Sequence, residues 1–175
     1  MRISDGELTI RNAEKADCAL LAQWWNDGSV MAHAGFPLGL GTTKEEIEEK
    51  IAGDTDDTGR RLIIEYKGKR IGETSYRMLD GNAAEIGIKI CEPDYRDKGL
   101  GRVLLSMLIK ELFSSGCAKI VLDTNLKNAR AQHVYEKLGF RKVRINVDAW
   151  KDQLGVPQSS VDYELYPEAF VDFSE

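Results

Sequence analysis

Ala83-Ala84-Glu85-Ile86-Gly87-Ile88-Lys89-Ile90 alternates, with Ile86, Ile88 and Ile90 on one side and Glu85, Gly87 and Lys89 on the other. That period of two predicts a strand. Pro93 and Asp94 end it. Arg96-Asp97-Lys98-Gly99-Leu100-Gly101 follows and opens an amphipathic helix that runs to Ser115. Leu100, Val103, Leu104, Met107, Leu108 and Leu112 form its apolar stripe, and Arg102, Ser106, Lys110 and Ser114 its polar one.

Glycines at a helix start let a ligand reach backbone N–H groups that have no partner within the helix. The helix dipole makes that place positive, so it suits a phosphate or pyrophosphate. Arg96, Lys98 and Arg102 add charge. Taken alone, the glycines are equally compatible with a flexible loop. Two familiar phosphate loops fail: no Gly-Lys-Ser/Thr is present, and Leu104 stands where a dinucleotide fingerprint needs glycine or alanine.

Outward from this segment, Leu8–Arg11 reads as a first strand and Asp17–Trp25 as a helix carrying Leu20, Leu21, Trp24 and Trp25. At least one of the tryptophans belongs in the core, and the other could line a pocket. Asn26–Gly41 is aperiodic and reads as loop, with His33 in it as polar surface or a substrate contact. A second helix begins at Thr42 or Thr43, each three residues before a glutamate. Arg61–Tyr66, Arg70–Leu79 and the strand at Ala84 form an antiparallel meander, turning at Lys67-Gly68-Lys69 and Asp80-Gly81-Asn82. Lys119–Thr124 follows a helix and should run parallel to the strand at Glu85. Asn128 caps a helix over Ala129–Leu138, and Phe140–Val147 and Val161–Leu165 are strands separated by a loop. The tail from Pro167 to Glu175 reads as peripheral.

At 175 residues, with 42% hydrophobic and 30% charged residues, the chain is expected to form one soluble domain. No apolar run is long enough for a membrane span, and no signal-peptide core follows Met1. Cys18, Cys91 and Cys117 read as reduced thiols of a cytoplasmic protein, and two histidines give no metal cluster. A net charge of −5 argues against a general nucleic-acid binder and slightly for a cationic acceptor.

Two motifs then resemble the GNAT superfamily of acetyl-coenzyme-A-dependent N-acetyltransferases. Arg96, Gly99 and Gly101 match its Arg/Gln-x-x-Gly-x-Gly/Ala loop. Asn128, Ala131, Tyr135, Glu136, Lys137, Gly139 and Phe140 match its Asn-x-x-Ala-x-x-x-Tyr-Glu-Lys-x-Gly-Phe helix without a gap. The general look is of the branch holding ribosomal-protein N-terminal and polyamine acetyltransferases. The resemblance implies an α/β (α+β) fold with a mixed, mostly antiparallel twisted sheet of about six or seven strands and about four helices. Its acceptor-side helices would span about 17–54, the coenzyme-binding core about 60–140 and the last strands about 140–166.

The resemblance also implies roles. The backbone of Lys89, Ile90 and Cys91 would hold the pantetheine arm, and the N–H groups of Asp97, Lys98, Gly99, Leu100, Gly101 and Arg102, with Arg96, the pyrophosphate. Asn128 would touch the coenzyme arm, and Tyr135 would protonate the departing thiolate. The amine's proton needs a base or a water chain, since its pKa is roughly 10.4. Glu85, eleven residues before Arg96, and Asp123, five before Asn128, are the candidates, with Glu85 preferred. Cys91 reads as a small packed residue, because transfer in this family is direct. The expected partner is a small amine or a peptide N-terminus, with no nucleic acid, membrane or metal, and a homodimer is compatible. A small acceptor predicts a closed, acidic pocket, and a peptide predicts an open groove between the first helices and the loop Ala149–Gln158. Competing readings are a non-catalytic acyl-coenzyme-A sensor, against which Tyr135 weighs, and a nucleotide-binding protein.

Overall fold

The computed structural model describes residues 1–175. Eight strands make one sheet: β1 (Arg2–Asp5), β2 (Leu8–Asn12), β3 (Gly59–Tyr66), β4 (Lys69–Leu79), β5 (Ala83–Ile90), β6 (Lys119–Asn125), β7 (Arg141–Lys151) and β8 (Pro157–Leu165), in the order β1-β2-β3-β4-β5-β6-β8-β7. The helices are α1 (Cys18–Trp25), α2 (Gly28–Met31), α3 (Lys44–Ala52), α4 (Leu100–Ser114) and α5 (Ala129–Lys137). No helix is long and apolar enough to cross a membrane.

All neighbouring strands are antiparallel except β5 and β6, which run parallel as expected. Those two pair only through Ala83–Glu85 and Lys119–Val121. Beyond that point the sheet splits, because β5 stays on β4 through Ile90 and β6 stays on β8 through Asn125.

Each face carries its own core. Leu104, Leu105, Leu108, Ile109 and Leu112 of α4 join Ile64, Ile86, Ile120 and Val161 in one cluster. Each such side chain contributes about 1.5–3 kcal/mol relative to exposure. On the other face, Leu21, Trp24 and Trp25 of α1 and Ile47 of α3 pack on Ile63. Thr43 caps α3 through a capping box with Glu46, worth about 1 kcal/mol.

Four differences from the sequence reading have physical causes. The strand count is eight, because β1 is only four residues long and carries no clear period. Gly6, with φ 54°, turns it into β2. The segment Asn26–Gly41 contains α2, begun by the Asp27 carboxylate accepting from Ser29 N at 2.8 Å. The Ala149–Gln158 segment is half strand: β7 and β8 extend toward a tight turn in which Asp152 accepts from Leu154 N and Val156 N. Finally, the tail packs along the polar stripe of α4. Phe173 N donates to Ser106 Oγ at 2.9 Å, Lys110 pairs with Asp172 at 3.0 Å, and Arg102 lies 4.4 Å over the Phe173 ring. Ser106 is therefore fully buried.

Candidate active site

The split in the sheet opens beside the start of α4. A 3₁₀ turn over Pro93–Tyr95 leads out of β5, and the chain then takes left-handed backbone at Asp97 (φ 64°) and Gly99 (φ 74°). Gly99 is the N-cap of α4 and supplies no side-chain cap, so the first N–H groups of the helix are left for a ligand. Alternating left-handed residues at a helix start make a concave nest of N–H groups, an arrangement suited to phosphate. A Cβ on Gly101 would meet nothing within 4 Å, which leaves open space above the first turn.

The charges around this loop are not all turned toward it. Arg96 donates through Nε to Ile90 O at 3.0 Å and through Nη2 to Cys91 O at 2.7 Å, so its guanidinium fastens the end of β5. The charge it adds to the loop therefore comes from a side chain anchored on β5. Asp97 is held by Arg130 of α5, which ties the loop to that helix. Lys98 lies 5.6 Å over Tyr95. The Nε of Arg102 is buried without a partner, beside the nest. The Cys91 N–H donates to Ile71 O at 2.9 Å, so it is engaged within the sheet and is not open to a pantetheine arm.

Across the split, Asn128 Oδ1 accepts from Ala131 N at 3.2 Å and caps α5 as expected. Tyr135 of α5 is buried against Phe140 and Tyr163, with ring centroids at 5.9 and 5.7 Å. Burial first, then the nearby Asp123, pushes its hydroxyl up to about 12. It is thus protonated at neutral pH and can donate. Asp123 sits at the mouth of the split, where partial loss of solvent and then the carboxylates of Glu85 and Asp162 raise its pKa. Glu85 shares its side of β5 with Gly87 and Lys89, but its carboxylate is held by Arg77 of β4 at 3.1 and 3.2 Å. Cys91 is buried, and burial followed by Glu73 pushes its thiol up to about 12. It is a poor nucleophile there.

On the α1–α3 face lies a cavity of about 280 Å³. Trp25, Met31, Phe36 and Leu40 wall it, Thr74, Ser75 and Gly87 floor it, and Lys50, Arg61, Lys89 and Glu73 bring charge. Gly87, without a side chain, keeps the floor open toward β5. Glu73 of β4 is buried, and its Oε1 takes both Trp25 Nε1 at 2.8 Å and Lys89 Nζ at 3.5 Å. Glu73 was not among the residues singled out from the sequence. Pairing around Gly81 as the centre of the turn puts it opposite Lys89, and that register was the available signal. Trp24 belongs to the core and donates to Glu92 at 3.0 Å. His33 is exposed and does not line the cavity.

Two features of the cavity bear on the alternatives of a small acceptor and a peptide. It is not acidic, since three cationic side chains and one carboxylate line it. Nor is the groove open toward residues 149–158. Gln153 donates through Nε2 to Gly39 O at 3.0 Å, accepts from Leu38 N at 2.9 Å and gives its own N–H to Gly35 O at 2.8 Å. Trp150 lies against Gly35.

The family model for the acetyltransferase (GNAT) domain matches residues 7–141. The chain belongs to the GNAT acetyltransferase family. An acetyltransferase of Pectobacterium atrosepticum is 30% identical over 144 residues, covering 81% of this chain and 85% of that one. A ribosomal protein bS18 alanine N-acetyltransferase of Escherichia coli K12 is 46% identical over 54 residues, and that match spans 31% of this chain and 36% of the enzyme. Among solved structures, the Vibrio cholerae spermidine N-acetyltransferase in complex with CoA and spermine superposes with a TM-score of 0.84. It is 23% identical, and the match covers 94% of this chain and 98% of that one. The GNAT fold is therefore shared with enzymes named for very different acceptors.

Proposed function

We propose that this GNAT protein transfers an acetyl group from acetyl-coenzyme A to the primary amine of a small molecule by direct attack on the thioester. The observation that carries it is the pairing of two sites on one split sheet. The nest at Asp97–Arg102 suits a pyrophosphate, and the cavity of about 280 Å³ at Gly87 suits a small acceptor. Strand β5 links the two, since its Gly87 and Lys89 line the cavity and its end runs into the loop that forms the nest.

In this reading the nest, through the N–H groups from Asp97 to Arg102, holds the pyrophosphate, while the edge of β5 near Lys89 and Ile90 and the cap residue Asn128 receive the pantetheine arm. A strand N–H there stabilises the oxyanion that forms as the amine attacks. Tyr135 gives its proton to the leaving thiolate, for which its raised pKa keeps it ready. Asp123, Glu85 or water carries away the amine's proton. Asp123, with its raised pKa, is the better matched to a base, and Glu85 is occupied by Arg77. The Cys91 thiol is too hard to ionise to form an acyl intermediate, in keeping with direct transfer.

A small acceptor is favoured over a protein N-terminus by Gln153, which bridges the place where an extended peptide would enter. Amine-dependent release of coenzyme A, with the acetylated product identified by mass, tests the proposal. Tyr135→Phe is expected to lower turnover by roughly ten- to a thousand-fold with acetyl-coenzyme A affinity nearly unchanged. Unchanged turnover in the variant, with chemistry rate-limiting, removes Tyr135 from the mechanism.

A further inference from the structure

The charges around the cavity are unequally spent. Arg61 is paired with Asp54, which lies outside the lining, at 2.6 Å, and Asp54 also accepts the Arg61 N–H at 2.8 Å. Lys89 is paired with Glu73 at 3.5 Å. Lys50, at the last turn of α3, has no carboxylate within ion-pair distance and stands 6.0 Å over the Trp25 ring. The cavity thus holds one cation with no ion-pair contact, and two more that are already paired. A single carboxylate serves the whole lining. Both of its protein contacts fall on Oε1, so Glu73 Oε2 accepts nothing from the protein.

A polyamine placed here would bring several positive charges to Lys50, Arg61 and Lys89 with one free carboxylate oxygen to receive them. Like charges in a partly desolvated site repel strongly. An acceptor with one ammonium and one anion has no such conflict. Its ammonium meets Glu73 Oε2, its anion meets Lys50, with Lys89 and Arg61 at hand, and its apolar part lies on Trp25, Met31, Phe36 and Leu40. The volume of about 280 Å³ falls just under the range of drug-sized pockets, roughly 300–1,000 Å³, and agrees with a molecule of amino-acid size.

Resting on the acetyl-transfer reading above, we infer that the acceptor is a zwitterionic primary amine of amino-acid size, whose carboxylate or phosphate is held at Lys50, Lys89 and Arg61 and whose amine is received by Glu73. This runs against the expectation drawn from the protein's overall acidity. The net charge of −5 belongs to the whole chain, whereas the walls of this cavity carry the opposite sign.

The experiment measures coenzyme A release at saturating acetyl-coenzyme A with L-phenylalanine, its carboxamide, phenethylamine, O-phosphoethanolamine, ethanolamine and spermidine. The anionic amines are expected to exceed their neutral counterparts in kcat/KM by at least about tenfold, the scale of a hydrogen bond to a charged group. The amino acid and the phosphate arms identify which anion is preferred. In Lys50→Met, an exposed change on α3, the ratio of anionic to neutral amine should fall toward one. Equal use of neutral and anionic amines, or preference for spermidine, overturns the inference and leaves acetyl transfer standing. So does a ratio that survives Lys50→Met. Acetylation of none of these amines overturns the acetyl-transfer reading and this inference together.

Discussion

The two faces of the sheet are organised differently. Under α4 a single cluster of 23 buried residues draws on strands from one end of the chain to the other, from Leu8 to Leu165. Under α1 and α3 a smaller cluster of nine draws on Ala13 to Cys91, and polar bonds across long sequence separations lie beside it. Trp25 reaches Glu73, Trp24 reaches Glu92, and Gln153 reaches Leu38 and Gly39. The first face carries a phosphate-suited nest that is specified within a few residues of chain. The second shapes a cavity from residues that meet only after the sheet has formed. The nest thus rests on local chemistry and the cavity on tertiary assembly.

The largest effect is expected from blocking the first face alone. Gly101→Trp places a large ring in open space above the first turn of α4, so the fold should survive. Acetyl-coenzyme A at a hundred times its Kd should stabilise the native protein by about 2.7 kcal/mol in thermal unfolding. The variant should show no such shift. Equal shifts in both proteins remove the nest from coenzyme binding and break the division between the faces.

A smaller effect separates the carboxylates that stand where the faces meet. The Asp123 carboxyl is raised, so its ionised form is penalised in the folded state. The stability linked to it is present below the ordinary carboxylate pKa and is lost as pH rises through the raised value. Asp123→Asn should therefore melt higher than the native protein at neutral pH, and the difference should vanish in acid. In kinetics, the variant that removes the base should lose the acidic limb of kcat/KM and recover turnover at high pH, where free amine is abundant. Profiles of Asp123→Asn and Glu85→Gln decide between the two. If both keep the native profile, water carries the proton and neither carboxylate is the base.

The contrast between the faces also explains what could be read in advance. Helix α4, its glycine loop and the cap at Asn128 follow from periods and motifs within a few residues of each other, so they were legible. So was the parallel pairing of β5 and β6, because a helical crossover demands it. Glu73 was not, since nothing local distinguishes it from any other strand carboxylate until Lys89 stands opposite and Trp25 arrives from α1. The anchoring of Arg96 was not legible, because counting charges does not say that its guanidinium turns to the Ile90 and Cys91 carbonyls at the end of β5. The tail was read as peripheral because a polar stripe on α4 looks like a solvated one. Ser106, Arg102 and Lys110 are covered by matching groups from Phe173 and Asp172.

The split between β5 and β6 carries one more consequence. Each strand keeps a partner on its outer edge through Ile90 and Asn125, while its inner edge faces the gap. Successive amides along a strand point to opposite edges, so within Gly87–Ile90 and Leu122–Asn125 protected and unprotected amides should follow one another singly. In deuterium oxide the free protein should take up label along these two segments with a rhythm of two residues. Acetyl-coenzyme A, lying in the gap, should slow the fast set and leave the slow set as it was.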